Sequence, residues 1–200
     1  MLVPKVFFCL VSVFSVLSFG ARDVLAHSFN VGFLLPMTGA DVIAGKQALN
    51  GFRFAAGERD AHPDEEADGH LGGLDVYILE IDSNLNSDEL LSKVRQLIGR
   101  KEINFITGYA ASEKVEMVRR ELSDSNVVFI GAAGKTSMTL KTMDGEPFDI
   151  AYSQRFGTKL LPSASRGYAQ ARRIDLIVRA LNGDFSNSNH VKDMVRQLKN

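Results

Sequence analysis

The stretch INFITGYAASEKVEMVRRELSDSNVVFIGAAG, residues 103–134, decides the fold. Two short apolar runs, residues 103–106 and 127–130, each stop in small residues: Gly108-Tyr109-Ala110-Ala111-Ser112 after the first, Gly131-Ala132-Ala133-Gly134 after the second. Runs of this length bounded by small residues read as buried strands. Between them Val115, Val118 and Leu122 recur at helical spacing, while Lys114, Arg119, Arg120 and Glu121 fall on the solvent side. A strand, helix and strand joined this closely imply parallel pairing. Both small-residue turns then lie at the carboxyl edge of one sheet, where open α/β sheets receive ligands. Small side chains let backbone N–H groups approach a ligand, and Ser112 adds a hydroxyl at a helix N-terminus, a place that favours anions.

Working outward, the pattern repeats. Residues 29–35 (FNVGFLL) read as a strand ended by Pro36-Met37-Thr38-Gly39, and a helix follows over 44–59 on the spacing of Ala48, Phe52 and Ala55. The polar segment 60–73 reads as a loop, and 74–81 (LDVYILEI) as the next strand. Ser87 is the expected cap of a helix that turns Leu90, Leu91, Val94, Leu97 and Ile98 inward and stops at Gly99. Four alternations of strand and helix predict an α/β protein with a doubly wound parallel sheet of flavodoxin-like order. Residues 135–147 read as a polar, irregular link, and three helices follow over 149–156, 163–181 and 189–198.

The N-terminus reads differently. Lys5 precedes the apolar run 6–19, and Val24 and Ala26 suit cleavage before His27, so residues 1–26 read as an export signal and 27–200 as one domain. The run is shorter than the roughly 20 residues of a membrane span. Its Cys9 is the only cysteine in 200 residues, so no disulfide framework or cysteine metal site is expected. The charge is near balance, with 23 basic and 24 acidic residues, which gives nucleic acid no attraction. The acidic and histidine-bearing segment 60–70 fits neither an EF-hand nor a helical histidine pair and reads as a solvated loop. His27, as a new N-terminus, has an amine and an imidazole but no identifiable partner histidine. Asp82 at its strand end reads as a turn cap, and Phe156 and Tyr168 as core. There is no phosphate loop, dinucleotide fingerprint or nucleophile elbow, so neither an enzyme nor a cofactor is expected.

Residues 31–39 (VGFLLPMTG) followed by 45–51 (GKQALNG), then Gly72-Gly73-Leu74 running into Ile81-Asp82, then Gly108 to Ser112, resemble in order the type I periplasmic binding proteins of the leucine/isoleucine/valine-binding family. Ala151-Tyr152, Arg155-Phe156-Gly157 and Gly167-Tyr168-Ala169 are similar to the segment that returns to complete the family's first lobe. Family members have two lobes that close on a ligand. The resemblance here is to the first lobe only, with the link 135–147 in place of the second. It implies that the two turns hold a ligand's carboxylate and ammonium, which assigns Tyr109, Ser112, Ala132, Ala133 and Gly134 to ligand binding. Thr136, one place from the aligned Lys135, is the nearest match to the family's hydroxyl residue beyond the second turn.

The expected function is that of an exported, non-enzymatic solute-binding module, similar to the amino-acid-binding component of an ABC transporter and periplasmic or secreted. A lone lobe with about half the contacts of a micromolar binder falls to roughly millimolar affinity. A second copy, another protein or a membrane permease is therefore expected across the exposed strand ends. The alternative is an accessory or interaction protein that keeps the fold and has lost small-molecule transport.

Overall fold

The computed structural model describes residues 28–59, 66–132 and 140–198. The elements in chain order are β1 (Ser28–Leu35), α1 (Val42–Gly57), β2 (His70–Leu71), β3 (Leu74–Asp82), α2 (Ser87–Gly99), β4 (Phe105–Gly108), α3 (Ser112–Glu121), β5 (Val128–Phe129), α4 (Phe148–Phe156), α5 (Pro162–Ala180) and α6 (Ser188–Gln197). The sheet order is β2-β3-β1-β4-β5. All neighbours are parallel except the β2–β3 pair. The order reverses between β1 and β4, so the carboxyl ends of those strands border the natural ligand crevice of a doubly wound sheet.

Strand alternation divides the core into two layers. Val31, Phe33, Leu35 and Phe105 pack on the side of α1, α4 and α5. Leu34, Ile81 and Ile106 pack on the other side with Leu90, Val94 and Leu97 of α2 and Val118 of α3. Because helices cover both faces, the strands read as nearly continuous apolar runs. Helix α5 lies so close against α1 that a Cβ at Gly51 would overlap the carbonyl of Ala164, and one at Gly167 the carbonyl of Ala48. Two glycines, one per helix, therefore set the distance between these two long elements.

Several local expectations change. Helix α2 is capped by Asn86, whose side chain accepts from the Glu89 N–H at 3.0 Å, and Ser87 is already helical. The reading of 60–73 as loop missed β2, a two-residue strand antiparallel to β3. Its turn is made by Gly72 and Gly73, both at positive φ (69° and 87°). Within residues 140–147 of the link, read as irregular, Lys141 and Pro147 form a bridge, and the Thr142 N–H donates to the Glu146 carbonyl at 2.9 Å. This hairpin is fastened to the body by Glu58, which accepts from the Met143 N–H at 2.8 Å and from the Tyr168 hydroxyl at 2.9 Å.

Tyr168 is a buried core residue and Phe156 packs against the same cluster, as their helical positions predict, and Tyr152 is buried beside them. Asp82 caps the turn after its strand, accepting from the Asn84 N–H at 2.9 Å. The export-signal residues, His27 and the acidic segment 60–65 lie outside the described residues. Among the described residues no helix is long and apolar enough to cross a membrane, and no group of three or more metal-ligating side chains occurs.

Candidate functional site

The site is built where β4 and β5 end. Gly108 closes β4 at φ 132°, and a Cβ there would overlap the Leu34 backbone of β1. Only glycine lets the chain turn away from the sheet at that point. The next residue, Tyr109, donates its N–H to the Leu34 carbonyl at 2.8 Å, so the turn is sewn to the strand beside it. The buried Thr107 hydroxyl donates to the Ile130 carbonyl at 2.6 Å and ties the ends of β4 and β5 together.

Helix α5 fixes the same turns from the opposite side. The Gln170 amide donates to the Gly108 carbonyl at 2.8 Å, and Arg173 donates to the Gly131 carbonyl at 2.9 Å and to the Val195 carbonyl at 2.9 Å. With their carbonyls engaged by α5, the turns are held in place. The N–H groups of Ala110, Ser112 and Glu113 donate to no described residue, as follows for the start of a helix. Ser112 is the first residue of α3 rather than its cap: Ala111 takes the cap position and no side-chain cap bond forms. Its hydroxyl is left available.

These elements enclose a half-open cleft of about 700 Å³. The first turn contributes Tyr109 and Ala110, and the second contributes Gly131 and Ala132. Ser112, Val115, Glu116 and Arg119 project from α3, Phe129 comes from β5, and Pro162, Ser165, Arg166 and Gln170 come from α5. The Arg119 guanidinium lies over the Phe129 ring, 4.7 Å from its centroid. Its ion pair with Glu116 is long, 3.7 Å, and both partners are solvent-exposed. Such a pair is weakly held. Burial, and then the positive charge of Arg119, push the Arg173 guanidinium below its ordinary value. Positive charge is therefore concentrated behind and along one wall of the cleft.

Of the expected ligand-binding residues, the structure brings Tyr109, Ser112 and Ala132 to one cleft. Ala133, Gly134 and Thr136 lie outside the described residues. Residues on α5 were not anticipated, since nothing local in the sequence says that this distant helix closes the cleft. Val115, grouped by helical spacing with the buried Val118 and Leu122, is only half-buried and faces the cleft. Arg119, assigned to solvent by the same spacing, is exposed yet folds over Phe129. The aromatic residue ten positions later was the one available signal.

A family model described as periplasmic binding protein matches residues 28–156. An ABC transporter substrate-binding protein from Sphaerobacter thermophilus superposes with a TM-score of 0.63 at 12% identity, covering 84% of this chain and 85% of that one. A leucine-binding protein from Thermotoga maritima gives 0.60 at 9% identity, over 84% and 87% of the two chains. An ABC-transporter solute-binding protein from Rhodopseudomonas palustris, solved with 3,4-dihydroxybenzoic acid, gives 0.64 at 10% identity, over 84% and 85%. At these identities the likeness is one of fold. No curated protein sequence matches the chain. With its strand order, its cleft at the strand ends and a family match over more than half of its length, the chain belongs to the type I periplasmic binding proteins of the branched-chain amino-acid-binding type, and its described residues form one α/β lobe.

Proposed function

We propose that this protein is an exported solute-binding module of the ABC-transporter type, without catalytic activity, whose cleft holds a small amino acid or related carboxylate. The observation that carries the reading is the convergence of two anchored turns and the uncapped start of α3 on one half-open cleft. Free N–H groups at a helix start favour a carboxylate. The solute-binding function of structurally similar proteins supports the same reading. Ala133, Gly134 and Thr136 are proposed to complete the second turn's contact with the ligand's ammonium group. The export signal is proposed to end at Ala26 and to deliver the chain to the periplasm.

The cleft is open on one side, and a single lobe cannot exclude water from a small solute. We place the missing cover on a partner, either a second copy or another protein, docked across the strand ends, with a membrane permease receiving the solute. Calorimetric titration with an amino-acid panel, together with the mass in solution, tests this. Binding tighter than about 100 µM in an assembly larger than the monomer supports it. Silence across the panel with a stable complex to another protein would instead favour an accessory protein that keeps the fold and has lost transport.

A further inference from the structure

Resting on the solute-binding reading, we infer that the solute is a small dicarboxylic acid bearing an amino or hydroxyl group, rather than an amino acid with an apolar side chain. Among the described residues, the lining carries two arginines, Arg119 and Arg166, against a single acid, Glu116. Arg166 has no ion pair with a described residue, and the Arg119–Glu116 pair, at 3.7 Å between exposed groups, is readily displaced.

Two helices start at this cleft. Helix α3 begins with Ser112, and α5 begins with Pro162 and runs for 19 residues. Neither has a side-chain cap, and α5 has no acidic residue in its first turn. The positive end of α5 therefore adds to the arginines, while Glu113 in the first turn of α3 offsets part of that helix's own positive end. One carboxylate at the start of α3 leaves the arginine side unsatisfied. A second carboxylate, accepting from Arg119 and Arg166, completes it with charge-assisted hydrogen bonds.

Gln170 supplies the independent observation. This residue is 4% exposed and lines the cleft, and its amide nitrogen is used by Gly108. Its Oε1 is buried without a partner. A buried acceptor without a donor is costly. The Oε1 is covered by the lining as it stands, and a small shift of the lining that opens it to the cleft lets a ligand ammonium or hydroxyl satisfy it. Val115, Phe129 and Leu160 provide the apolar surface for the carbons between the two carboxylates. A branched apolar side chain in the same position would leave two guanidinium groups desolvated and unpaired once a partner covered the cleft.

The test is calorimetric titration of the purified protein with L-glutamate, L-malate, L-glutamine and L-leucine at low and at high salt. L-Glutamate or L-malate is expected to bind at least about tenfold tighter than L-glutamine, with the preference shrinking as salt rises. In R166Q, a change at an exposed helix position, the preference for L-glutamate over L-glutamine is expected to collapse toward one, and R119Q should act in the same direction. Equal or tighter binding of L-glutamine or L-leucine would overturn the dicarboxylate assignment and leave the solute-binding reading standing. A preference unchanged in both variants would also overturn the assignment. Silence toward all four from a folded protein would remove both readings.

Discussion

The side-chain amide of Gln170 donates a 2.8 Å hydrogen bond to the carbonyl of Gly108, 62 residues earlier in the chain. One helical turn further along α5, Arg173 does the same for Gly131. A single helix thus holds the ends of both strands whose turns form the cleft. The same helix is fixed against α1 through the Gly51 and Gly167 contacts. Cleft geometry and core packing are therefore mechanically linked, and changes in one are expected to be felt in the other.

Gly108→Ala tests the turn. A methyl group there meets the Leu34 backbone at a backbone angle that disfavours L-residues. Strain and overpacking together predict a loss of about 3 kcal/mol or more. Urea unfolding of the variant, monitored by circular dichroism, should show a clearly lower midpoint. A midpoint equal to the parent's would mean that the turn is not held against β1.

Gly167→Ala tests the contact between α1 and α5. The added methyl overlaps the Ala48 carbonyl, so the two helices must separate. The expected cost is about 2 kcal/mol, read as a lower thermal midpoint. Gly73→Ala makes a useful contrast, because a Cβ there meets nothing within 4 Å and only its φ of 87° resists the change.

Asp175 governs an acid limb. Burial alone would raise its pKa, but hydrogen bonds from Arg179 and the Gly72 N–H, with the charge of Arg179, outweigh burial and hold it below the ordinary value of 3.8. The folded state therefore resists protonation more than the unfolded chain does. Its stabilisation is fully present above the unfolded value and is lost as pH falls from 3.8 through the folded value. Asp175→Asn should cost about 1–3 kcal/mol at pH 7 and flatten the decline of stability below about pH 4. Urea midpoints measured from pH 3 to pH 7 distinguish these outcomes.

Tyr168→Phe tests the fastening of the hairpin. The hydroxyl bonds Glu58 at 2.9 Å and the Lys141 carbonyl at 3.1 Å. Burial, and then the Glu58 charge, push the phenol above its ordinary value, so it remains a donor across the usable pH range. The variant should lose about 1–2 kcal/mol, with hydrogen exchange rising at Thr142 and Phe148. Exchange unchanged at those two amides would show that Glu58 holds the hairpin through Met143 alone.

Strand β1 was legible because burial on both faces writes 29–35 as an apolar run, and β3 because 74–81 is rich in β-forming apolar residues although only Val76 and Ile81 of it are buried. The small residues after β4 and β5 likewise announced the cleft edge. Strand β2 was not legible, since two residues carry no periodicity and its pairing is set by the Gly72-Gly73 turn. The Asn86 cap was hidden by Ser87 beside it, an equally good capping residue. The cleft's α5 wall was invisible for a different reason. Arg166 and Gln170 reach the β4 turn only through the packing of α5 on α1, a contact that no local pattern encodes.

The central claim is that a solute binds at the carboxyl ends of β4 and β5. Backbone amide resonances followed during titration with L-glutamate and L-leucine test it most directly. The account predicts concentration-dependent shifts concentrated at Gly108 to Ser112 and at Gly131 and Ala132, saturating with a single affinity. Shifts confined to residues remote from that edge, such as β2 and α6, or none at any ligand concentration, would contradict it.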